Sequence, residues 1–120
     1  MIDCDVHVQI SHPEEILRYI DEAERDWYRG QAYLLGLPAY PWSNPSTWFR
    51  SDLATDETGM PGGNARVVAK EALDDQGADV GILTADDALS VGLMENAYRA
   101  AALARAHNDW LANDWFPHDE

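Results

Sequence analysis

Apolar and polar residues alternate from Ile2 to Val8, with Ile2, Cys4, Val6 and Val8 set against Asp3, Asp5 and His7. A period of two predicts a strand with one apolar and one polar face. The spacing then turns helical through Ile16, Leu17, Tyr19, Ile20, Ala23 and Trp27. One helix is predicted from a Ser11 cap, with Glu14 completing a capping box, to about Arg29, where Gly30 stops it. Pro13 suits the first turn, and Glu14 and Glu15 suit the positive end of the helix dipole.

Periodicity fails from Gln31 to Asn64, a stretch with four of the six prolines (Pro38, Pro41, Pro45, Pro61). A loop this long is usually functional or disordered. Tyr33, Tyr40, Trp42, Trp48 and Phe49 argue against plain disorder, because such side chains need something to pack on. Asn64 then caps a second helix that runs to about Gln76 and ends at Gly77. Asp79 to Thr84 reads as a buried strand, so the order strand, helix, glycine, strand predicts a parallel sheet. A last helix is predicted from about Gly92 to Trp115, with Ala97, Ala100, Ala101, Ala104, Asn108, Leu111 and Trp115 as the packed stripe.

A chain of 120 residues is one domain at most. Its net charge of −14 comes from 22 acidic and 8 basic residues. That charge repels a phosphate backbone and an anionic bilayer, which excludes nucleic acid and disfavours a membrane surface as partners. Self-repulsion at this charge also weakens the compact state, and salt screens it. The melting temperature is therefore expected to rise between low and molar salt, followed by circular dichroism; a flat response removes this reading. The single cysteine permits no internal disulfide, and Cys4 reads as a small core residue rather than a nucleophile. No charged-then-apolar leader and no apolar run near 18 residues is present, so the expected compartment is the cytoplasm.

The candidate chemistry lies on the polar face of the first strand. Asp5 and His7 are two residues apart, so they leave one face with Cα atoms roughly 6–7 Å apart. With metal–ligand distances of about 2 Å on each side, a carboxylate and an imidazole so placed can grip one divalent ion. A half-exposed edge strand can also carry an Asp and a His with no such role. Asp86-Asp87 follow the second strand, at the carboxyl end where parallel sheets bind ligands. There they either cap a turn or form a second metal or proton-transfer site. His12 reads as a surface residue at a helix start, and His107 as a structural residue inside a helix. Met60 to Asn64 lacks the pattern of a phosphate loop.

Ile2-Asp3-Cys4-Asp5-Val6-His7 resembles the first strand of the metal-dependent amidohydrolases. More narrowly it resembles the amidohydrolase-related branch that includes aminocarboxymuconate-semialdehyde decarboxylase, where that strand carries H-x-H, E-x-H or D-x-H. Three further stretches are similar to that branch: the Tyr40-Pro41 to Asp52 region, Asp79 to Thr84, and Ala101 to Leu111. The resemblance implies an α/β fold, the N-terminal portion of a (β/α)8 TIM-type barrel. It would comprise two parallel strands with flanking helices and a long loop excursion. A full barrel takes about 250 residues, so residues 1–120 would form a partial, incomplete barrel domain, with 31–64 folding over the active-site end. Asp5 and His7 would be metal ligands, with zinc the first expectation. Arg50 either meets a substrate carboxylate or, more simply, pairs with Asp52 at the surface.

The family's remaining ligands, a histidine on a middle strand and an aspartate on the last, have no counterpart here. His12, His107 and His118 all lie elsewhere. Asp86 and Asp87 are not ligands in the family pattern. The expectation is the front part of a metal-dependent hydrolase or decarboxylase acting on a small molecule, weak or inactive alone and completed by a second chain or a homo-oligomer. The alternative is a free-standing α/β binding or assembly module without catalytic activity.

Overall fold

The computed structural model describes residues 1–30 and 61–118. Strand β1 (Ile2–Val8) pairs in parallel with β2 (Val80–Ala85) in a two-stranded sheet. Helices α1 (Pro13–Leu17), α2 (Glu22–Arg29) and α3 (Ala65–Val68, extended by a π-helical segment Ala69–Asp74) stand between them in sequence. A 3-10 segment (Asp86–Leu93) follows β2. Then comes α4 (Ala97–Trp110), with a π-helical continuation to Trp115. The chain is thus α/β with a parallel strand pair, as the order of its elements predicts. Arg50 and most of the 31–64 excursion lie outside the described residues. Among the described residues no helix is long and apolar enough to cross a membrane.

The expected single helix over 11–29 is two. The cap residue of α1 is His12, not Ser11, and its box is closed by Glu15, whose Oε1 accepts the His12 amide at 3.1 Å. After Leu17 the backbone tightens into 3-10 turns, with the Tyr19 amide donating to Ile16 and the Ile20 amide to Leu17. Asp21 then caps α2 by accepting from the Ala23 amide at 3.2 Å. The Arg25 guanidinium donates to the Ile20 carbonyl at 2.9 Å, which satisfies an acceptor freed by the break. The kink lets Ile16, Leu17, Ile20 and Tyr28 all reach the core. Gly30 does follow the last helical residue, but in an ordinary right-handed conformation.

α3 begins where Asn64 accepts from the amides of Arg66 and Val67 at 3.1 and 3.2 Å. It closes through Gly77 at φ +68, a left-handed conformation that disfavours a side chain. α4 starts at Ala97 rather than near Gly92, because Asn96 caps it by accepting from Tyr98 and Arg99. Its buried stripe is Leu103, Ala106, His107 and Trp110. Ala97, Ala101 and Asn108, expected to be packed, are exposed. The large side chains, which gain most from burial, set the helix rotation.

Val8, Ile10, Ile16, Leu17, Ile20, Tyr28, Leu103 and Trp110 are the body of the core, joined from β2 by Leu83 and Ala85. The helices therefore cover one face of the sheet. Tyr28 locks α2 to α4 by donating its hydroxyl to the Arg99 carbonyl at 2.8 Å. The Arg99 guanidinium lies 4.0 Å from the Trp27 ring centroid and donates to Glu24 at 2.7 Å. The other face stays open among the described residues, with Val80 50% and Ile82 52% exposed. β2 is thus half-covered, not buried as its composition suggests.

The alternation in β1 also breaks. Ile2 pairs with Val80 and Asp3 with Gly81, but Val6 pairs with Leu83, so β1 carries one extra residue between Asp3 and Val6. Asp3 stabilises this bulge by accepting the Asp5 amide at 3.0 Å. Cys4, expected in the core, is exposed as a result. From Asp5 onward the predicted pattern holds: Val6 and Val8 are buried, Asp5 and His7 exposed.

Candidate functional site

The bulge sits next to the strand's chemistry. Asp5 lies within it and His7 follows two residues on, with Asp5 Oδ1 3.1 Å from His7 Nε2. Two ligands held about 2.0–2.2 Å from one ion at octahedral to tetrahedral angles stand about 3.0–3.5 Å apart. The pair therefore has the separation of two adjacent ligands on one metal.

The other nitrogen of His7 meets the end of β2. Nδ1 is hydrogen-bonded to Asp86 Oδ1. Asp86 Oδ2 accepts the Gln9 side-chain amide at 3.0 Å. Gln9 is buried, and its backbone amide donates to the Gly62 carbonyl at 2.9 Å. Gly62 has φ +79, and a Cβ there would stand 3.1 Å from the His7 carbonyl oxygen, so glycine lets this turn sit against the strand end. Asp87, also buried, accepts the Ile10 amide at 2.7 Å. The consecutive aspartates thus reach across to consecutive residues beyond β1 and tie the two strand ends together.

Two carboxylates flank one imidazole and favour its protonated form. The hydrogen bond to Asp86, more than that to Asp5, raises the His7 pKa above its ordinary value against a smaller opposing effect of burial. Asp87 is pushed up to about 6, chiefly by burial, while the Ile10 amide pulls the other way. A cleft of about 330 Å³ opens beside the pair, lined among others by Asp3, Asp5, His7, Gly62, Val68 and Glu71.

His12 and His107 stand apart from this site. His12 is exposed at the start of α1. His107 is buried in α4, where Nδ1–H donates to the Leu103 carbonyl at 2.9 Å, the structural role its position suggests. Burial lowers its pKa. Among the described residues no group of three or more His, Cys, Asp or Glu side chains is arranged to hold a metal ion. A catalytic zinc takes three protein ligands, and Asp5 and His7 are two residues of suitable type with no third beside them among the described residues.

The contact that sequence reasoning missed is Asp86 on His7. Its signal was present: in a parallel pair, the first residue past β2 falls beside the end of β1. No protein-family model matches the chain, and no curated protein matches it in sequence.

Proposed function

We propose that this chain is the front part of a metal-dependent hydrolase or decarboxylase of the amidohydrolase superfamily, with Asp5 and His7 as the first two ligands of a zinc ion. The observation that carries this reading is the 3.1 Å approach of Asp5 Oδ1 to His7 Nε2 at the carboxyl end of a parallel strand. That end is where barrel enzymes place their chemistry. The open sheet face agrees with it, because Ile2, Val80 and Ile82 are apolar side chains of the kind that fill a barrel interior. The bound metal would polarise a substrate oxygen or activate water. The chain's own part is to hold the ion from one side: Asp5 brings negative charge, and His7 brings a nitrogen that must give up its proton to bind. A small-molecule substrate, and Arg50 as a partner for its carboxylate, belong to the completed site. With two such ligands among the described residues, the chain alone is expected to bind metal weakly and to turn nothing over.

A second reading, a free-standing binding or assembly module, rests on the same open face, since exposed apolar surface and strand edges favour association. It predicts a stable oligomer by size-exclusion chromatography. The enzyme reading predicts poor solubility alone and activity only with the missing part. A clean monomer that melts cooperatively counts against both.

The metal site is tested by titrating zinc into the wild type, Asp5→Ala and His7→Ala by calorimetry. Weak binding to the wild type, reduced at least about tenfold in each variant, is expected. Equal affinity in all three proteins removes the ligand pair.

A further inference from the structure

We infer that Asp86, held in place by Gln9, is the positioning residue that presents His7 Nε2 to a metal beside Asp5. The inference rests on the reading of Asp5 and His7 as ligands. A neutral imidazole carries one proton, and the partner of one nitrogen decides which nitrogen is free for metal. His7 has two competing partners. Asp5 at Nε2 draws the proton to the nitrogen the metal needs. Asp86 at Nδ1 draws it to the other one. With Asp86 present, the proton can stay on Nδ1 while Nε2 turns its lone pair toward an ion that Asp5 also binds. Without Asp86, the only hydrogen bond left to the ring among the described contacts is Nε2–H to Asp5. That bond closes the site.

Asp86 is suited to this role and not to ligation. The two ring nitrogens point away from each other, so one ion cannot sit on Nε2 and also take the carboxylate bonded to Nδ1. The second oxygen of Asp86 is already engaged by Gln9 at 3.0 Å. Gln9 is only 6% exposed and is itself fixed by its backbone bond to Gly62. The neighbouring Asp87, bonded to the Ile10 amide, anchors the backbone from which Asp86 projects. The carboxylate is therefore oriented from both sides before any metal arrives. Metal-bound histidines are commonly oriented by just such an outer carboxylate.

The test combines zinc calorimetry with ¹⁵N spectra of the His7 ring, recorded on the metal-free protein above the pH at which His7 is protonated. The wild type should show the Nδ1–H tautomer. Asp86→Ala should bind zinc 10- to 100-fold more weakly and switch His7 to Nε2–H. Asp86→Asn, which keeps an acceptor oxygen, should fall between the two. Asp5→Ala should lose zinc but keep the Nδ1–H form. Zinc affinity within twofold of wild type and an unchanged tautomer in Asp86→Ala would overturn the positioning role while leaving the ligand pair standing. Loss in Asp86→Ala as complete as in His7→Ala, with no change of tautomer, would make Asp86 a ligand and also overturn it. A wild type that binds no zinc removes the ligand reading and this inference together. If Asp86→Ala does not fold, as judged by circular dichroism, Asp86→Asn decides by the same two readouts.

Discussion

Trp110→Ala is expected to destabilise the chain by about 3–5 kcal/mol, the cost of removing a large aromatic side chain from a packed core. Trp110 is 1% exposed and is the largest of the fully buried side chains. Its ring meets Trp115 edge to face with centroids 5.5 Å apart, so the substitution also strips a partner from the end of the same helix. A chain of this length has a stability of only about 6 kcal/mol at the lower end of the usual range. The loss would then be most of what holds α4 on the sheet. Tyr98→Ala is the control on the same helix: Tyr98 is 90% exposed, and its removal should change stability by no more than about 0.5 kcal/mol. Urea unfolding followed by far-ultraviolet circular dichroism measures both without relying on tryptophan emission. A Trp110→Ala loss below about 1 kcal/mol would mean that α4 does not dock through this residue.

Asp87→Asn is expected to stabilise the protein near neutral pH and to do little in acid. Burial raises the Asp87 pKa from 3.8 to about 6 on folding. Between those values the folded chain holds a proton that the unfolded chain has released. The contribution of Asp87 is therefore most favourable below about pH 4, falls as pH rises through about 6, and is constant above that. At 1.36 kcal/mol per pKa unit the full swing is about 3 kcal/mol. An asparagine keeps a carbonyl oxygen for the Ile10 amide and carries no charge to bury. The difference in unfolding free energy between variant and wild type should thus widen by up to about 3 kcal/mol from pH 4 to pH 7.5. Other titrating groups largely cancel in that difference. A difference that stays constant would show that the charge on Asp87 costs the fold nothing. The expected widening would mean that the wild type gives up stability near neutral pH at the residue that anchors the backbone of Asp86.

Much of this architecture is legible in local sequence because caps and turns are decided by neighbours along the chain. Asn64 and Gly77 bound α3 as read, since an Asx side chain reaches the amides two and three residues on and a left-handed stop favours glycine. Asp21 and Asn96 work by the same chemistry. Apolar spacing continues through both positions, and periodicity does not register a break that preserves the buried face. Spacing alone does not fix the stripe on α4, for a related reason. Several helical phases fit an alanine-rich segment, and the volumes of Leu103 and Trp110 choose among them only when a sheet is there to receive them.

The sequence by itself determined the parallel α/β order and placed Asp5 and His7 on one polar face, because alternation and helix spacing follow from backbone geometry. Tertiary structure alone decided the bulge that exposes Cys4 and the half-open face of β2, because both depend on which residues of the other strand lie alongside. It also decided the contact between Asp86 and His7. Those two residues lie 79 positions apart, and only pairing of β1 with β2 brings a carboxylate from one strand end onto the imidazole of the other.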